Sequence, residues 1–451
     1  MELRKYQQSG VDFLTDRRRC LLADEMGVGK TPQLIRAATG SILVVAPPSL
    51  HANWWREIDR WAKGSGDWQV TSYHSLTDMS VKDGHGKVAG VVRPEFRRDW
   101  DTAIFDEAHH LKGRNTGYAK AGVKIAARSE RVYLATGTPV KNWGHEIFML
   151  LRALYPGDPR FSSFWRWADT WFQQDERQFY VGGRRVKTRN VGNLRKMLTW
   201  EQFVESNGLA DRMLRRTLDD TDLDLPGYQL IEVPIEMGEE QSRAYRTMEQ
   251  DFLLEAPRRV MAFSAGSQWS HLLRITSGLN YHPAIGTGPN AKADYLKDLL
   301  RWDLRGEPLV IFTQYRHTAH SLADDLGWDT EVVTGDMTSA EQDEAIQNFQ
   351  DGSTNVLIGT YGSLGEGHTL TRASKMVLFE TSPVPSDTDQ AIGRIYRFGQ
   401  DRRCTIWRLY VLDTADGYYV ERVLPAKRSH AAGVMTALDF RDWRSDAHLV
   451  E

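Results

Sequence analysis

Asp24-Glu25-Met26-Gly27-Val28-Gly29-Lys30-Thr31 brings together two glycines, a lysine and a hydroxyl, the residue types that a loop around phosphate needs. Glycines let backbone N–H groups close on phosphate oxygens, and a helix beginning at Lys30 would add the positive end of its dipole. In such a loop Lys30 neutralises the β- and γ-phosphates and the Thr31 hydroxyl holds Mg²⁺. Asp24, Gly27, Val28 and Gly29 complete the nucleotide-binding set. The generic pattern starts with glycine where this chain has Asp24, so the loop alone argues for nucleotide binding and for nothing further.

About 75 residues later comes Asp106-Glu107-Ala108-His109, at the end of an apolar run. Two carboxylates at a strand tip are ordinarily solvated. Downstream of a phosphate loop they acquire roles: Asp106 completes the Mg²⁺ shell, and Glu107 orients and deprotonates an attacking water. No dedicated acceptor site is apparent, which favours hydrolysis of ATP over phosphate transfer. Gln7 carries an amide able to read the adenine edge as donor and acceptor, although alone it reads as a surface residue. In Gln390–Gln400 two arginines, Arg394 and Arg397, stand three apart, on one face if helical. A solvated basic face is the usual explanation. The alternative is that they reach across a cleft to the γ-phosphate, where such arginines contribute roughly 10³–10⁵ in rate. Gln390, Arg394 and Arg397 therefore join Lys30 and Glu107 as catalytic candidates, and ATP-driven lobe closure becomes the expected motion.

Positioning these residues requires parallel α/β elements. Short apolar, β-branched runs alternate with helical stretches: residues 20–23, 42–46, 103–105 and 132–135 in the first half, and 309–312, 331–333, 356–358, 376–379 and 405–412 in the second. Each half reads as a doubly wound sheet. Residues 1–158 form the first lobe and 291–424 the second. Between them, 159–226 reads as a helical, basic protrusion with a hinge near Leu223–Tyr228, and 227–290 as a helical protrusion of the second lobe. Residues 425–451 read as a C-terminal brace or tail.

The 451 residues carry 57 Lys+Arg against 60 Asp+Glu, a net charge of −3, which excludes a polycationic tail-driven binder but not a local basic face. Cys20 and Cys404 form no CxxC pair, which points to a reducing, intracellular setting. No apolar run spans a membrane and no signal-peptide core opens the chain.

Together these motifs resemble the Swi/Snf-type helicase-like ATPases of helicase superfamily two, over about residues 1–430. DEMGVGKT is close to that family's DEMGLGKT, so Asp24 is what the family uses at that place. Leu3–Leu14 resembles its glutamine motif, and VVAPPSLHANW (44–54), VTSYHSL (70–76), DEAHHLK and LATGTPVKN (134–142) continue the series in order. RMLRRTLDDTDLDLP (212–226) resembles the segment leading into the second lobe, and Gln390–Gln400 the arginine motif. The resemblance implies two RecA-like lobes with helical protrusions, ATP with Mg²⁺ in the cleft, and translocation on duplex DNA. The short spacing between Pro139 and Arg212 is similar to the compact annealing-helicase branch, which acts on branched DNA and in DNA repair or recombination. Thr360–Leu370, TYGSLGEGHTL, departs from the family's fifth motif at Glu366 and His368, which puts its DNA or ribose contact in doubt.

DNA contacts are expected at Ser72, Tyr73 and Thr360 and in the basic stretch 184–196, where Arg184, Arg185, Lys187 and Arg189 lead six cations without an acid. A solvated insertion is the competing explanation for that stretch. Nothing resembles a base-reading module, so binding independent of sequence is expected, with a recruiting protein left open. A strand-separating DNA or RNA helicase and a non-hydrolysing ATP-gated clamp remain alternatives. The minimal form suggests a bacterial or viral source.

Overall fold

The computed structural model describes residues 2–425, apart from 85, 87, 141–143, 182–183, 222–224, 252, 255–259, 262–264, 328 and 366–367. Side chains at 175, 177–181, 184–190, 192–193, 253–254, 260–261 and 265–266 also lie outside the description. The chain divides into two units with a boundary between Asp222 and Leu223, beside the segment read as a hinge.

The first unit is built on six parallel strands: β1 (Arg19–Leu22), β2 (Ser41–Val45), β3 (Asp67–Thr71), β4 (Thr102–Asp106), β5 (Arg131–Ala135) and, after two further strands, β8 (Met213–Leu214), in the order β3-β2-β4-β5-β1-β8. Helices cover both faces, which is why β4 and its neighbours read as continuous apolar runs rather than alternating ones. One core packs Leu21, Leu43, Phe105 and Leu134 against Phe148 and Trp167; the other packs Leu22, Val44 and Tyr133 against Leu14 and Trp54. A parallel sheet presents all its strand ends on one edge. Since β5 lies between β4 and β1, the DEAH residues and the phosphate loop emerge two strands apart, roughly 10 Å.

The second unit has its own parallel sheet: β9 (Tyr228–Ile235), β12 (Leu309–Thr313), β13 (Thr330–Val333), β14 (Val356–Thr360), β15 (Lys375–Leu378) and β16 (Cys404–Val411), ordered β13-β14-β12-β15-β16-β9. The expected α/β class, two parallel-sheet lobes, is the one observed.

The middle of the chain corrects the reading of 159–226 as helical. Phe172–Val181 (β6) and Arg184–Leu194 (β7) pair as a long antiparallel hairpin, with Arg185 opposite Tyr180, Lys187 opposite Gln178 and Arg189 opposite Glu176. The missed signal was the β-branched and aromatic content either side of Gly182-Gly183. The span 227–290 likewise opens not with a helix but with β9, which is the edge strand of the second sheet and therefore tolerates Pro234. Helices Glu239–Asp251 and Ala265–Thr276 follow within the span read as helical, with a short pair β10 (Leu253–Leu254) and β11 (Val260–Met261) between them. Past Pro425, the expected brace lies outside the described residues.

Candidate nucleotide site

Between β1 and helix α2 (Lys30–Ala37), Gly27 and Gly29 have φ of 86° and 83°, a region that favours glycine. A Cβ on Gly29 would stand 2.6 Å from the Gln7 amide nitrogen, so a side chain there would be strained by the positive φ and would displace Gln7. Lys30 Nζ curls back over the loop, donating to the Asp24 carbonyl at 2.8 Å and the Glu25 carbonyl at 3.2 Å. Val28 is buried and its carbonyl accepts from the Tyr6 hydroxyl at 2.9 Å, while Thr31 is half-buried at the start of α2. Gln7, in helix α1 (Lys5–Arg17), accepts from the Arg4 N–H at 3.0 Å and reaches the Gly29 carbonyl at 3.4 Å.

Asp24 is fully buried and does not face the loop's interior. Arg216 donates to both its oxygens, Nε to Oδ1 at 3.0 Å and Nη2 to Oδ2 at 2.5 Å, and Gln33 Nε2 adds a third bond at 3.2 Å. The same guanidinium bonds Gln33 Oε1 at 2.7 Å and the Tyr6 carbonyl, and lies over the Tyr6 ring. Around it, the Ala23 N–H donates to the Leu214 carbonyl, the Glu25 N–H to the Arg216 carbonyl, and the Leu218 N–H to Glu25 Oε2. Glycine at position 24 would leave the partly buried Arg216 without its carboxylate. Sequence reasoning missed Arg216 because no local pattern links it to a residue 192 positions earlier; the segment 212–226 was the place to look.

At the end of β4, Asp106 is buried, with Oδ2 accepting from Trp54 Nε1 at 2.8 Å and Oδ1 from the Glu107 N–H at 3.0 Å. Burial, reinforced by the adjacent Glu107 charge, raises its pKa. Glu107 has φ of 49°, a left-handed conformation that costs a non-glycine residue of order 1–3 kcal/mol. The strained turn aims its carboxylate at Thr136, whose hydroxyl lies 3.4 Å from Oε2, and at His109 Nδ1, 3.2 Å away. Thr136 also contacts His109 Nδ1 at 3.0 Å and accepts from the Thr138 N–H at 3.1 Å, so the TGTP turn and the DEAH turn form one network. Trp54, Thr136 and His109 were not singled out as site residues in the sequence.

Tyr73 requires a correction. It is buried, and its hydroxyl donates to the Asp106 carbonyl at 2.7 Å, so it braces β4 rather than facing DNA. Ser72 is also buried, paired with the Ser75 hydroxyl at 2.8 Å. In the second unit the arginine-bearing helix spans Pro385–Ile395, so Arg397 lies past its end and the two arginines do not share a helical face. They nevertheless converge: Arg394 Nη1 and Arg397 Nη1 both donate to the His368 carbonyl, at 3.3 and 3.5 Å. Arg394 Nε bonds the carbonyl of buried Gln390 at 3.2 Å. Thr360 ends β14 with its hydroxyl 2.7 Å from that of Ser363. Arg184, Arg185, Lys187 and Arg189 lie on β7, but their side chains fall outside the described residues.

The first unit thus offers a glycine loop, a lysine, and two hard oxygen donors, Thr31 and Asp106, a set suited to a magnesium nucleotide. Among the described residues no cluster of His, Cys, Asp and Glu forms a separate metal site, and no helix is long and apolar enough to cross a membrane.

An SNF2-related domain model matches residues 6–92 and 67–281, and a helicase conserved C-terminal domain model matches 291–399. The DNA annealing helicase and endonuclease ZRANB3 of Homo sapiens is 26% identical over 445 residues, covering 92% of this chain and 39% of that protein. Chromodomain-helicase-DNA-binding protein 7 of Gallus gallus is 28% identical over 481 residues, covering 90% of this chain and 15% of that protein. The chain therefore spans well under half the length of these relatives. A solved structure, the Sulfolobus solfataricus SWI2/SNF2 ATPase core in complex with dsDNA, is 20% identical, with a TM-score of 0.38 and coverage of 96% of this chain and 94% of that one.

Proposed function

Because the chain belongs to the SNF2-related family, we propose that it is a DNA-dependent ATPase that translocates on duplex or branched DNA and remodels it or its bound proteins. The observation that carries the reading is Glu107, held in a strained turn and tied to Thr136 in the same unit as the phosphate loop. ATP with Mg²⁺ is the cofactor its donor set suits: Lys30 would leave the Asp24 and Glu25 carbonyls for the phosphates, Thr31 and Asp106 would hold the ion, and Glu107 would take a proton from the attacking water. Gln7 would give up its hold on Gly29 to read adenine. Arg394 and Arg397 would meet the γ-phosphate when the lobes close, releasing the His368 carbonyl. Thr360 is a candidate backbone contact on DNA, and the basic hairpin grips a duplex or junction. Two buried thiols suit a reducing, intracellular compartment, and a recruiting protein would select the DNA. The test is ATPase turnover with single-stranded, duplex, forked and four-way DNA and with RNA, paired with triplex-displacement and strand-separation assays. Stimulation by duplex with triplex displacement and no strand separation is expected; stimulation by RNA alone would overturn the reading.

A further inference from the structure

A cleft of about 650 Å³ opens on the first unit, and no phosphate-loop residue lines it. Its size falls within the range of ordinary ligand clefts, roughly 300–1,000 Å³. One wall is the loop after the DEAH sequence, Lys112–Thr116; the facing wall includes His145, Glu146, Phe164 and Trp165. The Arg114 guanidinium lies 3.8 Å from the centroid of the Phe164 ring and 4.5 Å from that of Trp165. The two rings are 5.1 Å apart and nearly perpendicular, so they fix the guanidinium plane from two sides. Among the described residues no carboxylate or carbonyl accepts from that guanidinium, and burial lowers its pKa. Lys112 Nζ, on the same loop, is only loosely paired, 3.8 Å from Glu146 Oε1.

A partly desolvated guanidinium with no acceptor carries a cost that an anion in the cleft would relieve. Its planar fork suits phosphate oxygens, and an indole beside it offers a face on which a base can stack. Both features are supplied at once by a nucleotide within a strand. A paired base is already stacked on both sides, so the occupant must be unpaired.

We propose that this cleft binds one unpaired nucleotide of a DNA strand, with its phosphate at Arg114 and its base against Trp165. It thereby gives the motor a preference for DNA with a single-stranded arm. This rests on the DNA-dependent reading above and names the substrate feature recognised. A phosphopeptide would satisfy Arg114 alone and leave the indole without a stacked base.

The experiment uses the full chain and measures affinity for a forked DNA with one single-stranded arm and for a blunt duplex, across a salt series. Arg114→Gln and Trp165→Ala are expected to weaken fork binding at least about fivefold. Arg114→Gln should also flatten the fork's salt slope by about 0.7. Both should leave blunt-duplex affinity and duplex-stimulated turnover unchanged, which also shows that the variants fold. A 5-iodouracil in the single-stranded arm should photo-crosslink to Trp165. Unchanged fork affinity, equal losses on both DNAs, or cross-links confined to other peptides would overturn the proposal. Wild-type turnover indifferent to every DNA would remove the translocase reading instead, and the cross-link to Trp165 would still decide the cleft.

Discussion

Asp24 and Arg216 show how far a residue's role can lie from its local sequence. The candidate phosphate loop, its lysine and the DEAH pair stood out in the sequence because loop geometry and charge demand particular types at short spacing. The Asp24–Arg216 pair was not, because it closes across 192 positions and depends on β8 joining the sheet next to β1. Removing one member of a buried pair strands the other, at a cost of about 3–5 kcal/mol. Arg216→Ala should therefore lower the melting temperature and weaken ATP binding, since the guanidinium holds the loop, α1 and Gln33 together. Arg216→Lys should recover only part of either, lacking the fork that spans both carboxylate oxygens. Normal nucleotide affinity in the alanine variant, measured by fluorescent nucleotide titration, would reduce Arg216 to a plain structural strut. Tyr73 is the opposite lesson: a residue in a motif read as DNA-facing is buried, its hydroxyl on the Asp106 carbonyl at the DEAH turn.

At the scale of elements, buried central strands were read correctly because covered parallel strands are uniformly apolar. The edge strand β13 was read too, but β3 and β9 were not: they are half-exposed and mixed in polarity, and the hairpin β6–β7 was hidden by its charges. The hairpin carries its own prediction. Neutralising Arg184, Arg185 and Lys187 should weaken duplex binding and lower the salt slope by about 2.7, the sum of three lost phosphate contacts. An unmoved slope, read from anisotropy titrations, would return the stretch to a solvated insertion. In the second unit, His282 is buried with Nε2 3.2 Å from His271 Nδ1. Burial, with His271, Arg274 and His317 nearby, pushes its pKa down to about 4. Its folded pKa is lower than its unfolded one, so the unfolded state takes up the proton first and stability falls with pH between about 6.5 and 4. The contribution lost is about 3–4 kcal/mol. Denaturant melts should show that acid slope, and His282→Gln should flatten it; an equal slope in the variant would assign the effect elsewhere.

For the whole molecule, the two units divide the candidate catalytic residues. One carries Lys30, Thr31, Asp106 and Glu107, and the other carries Arg394 and Arg397. Each unit's fold class was legible from its strand series, whereas the convergence of both arginines on one carbonyl was not, because Arg397 lies beyond the helix that spacing implied. If closure brings the arginines to the γ-phosphate, Arg397→Ala should cut turnover by roughly 10³–10⁵ while largely sparing ATP affinity. Loss of affinity in step with turnover would place Arg397 in ground-state binding instead. The central claim, hydrolysis driven by Glu107 and stimulated by DNA, is tested most directly by steady-state ATPase turnover of the wild type and Glu107→Gln with saturating duplex. The account predicts a fall of roughly 10²–10⁴ with ATP binding retained. Undiminished turnover in the Glu107→Gln protein would contradict it.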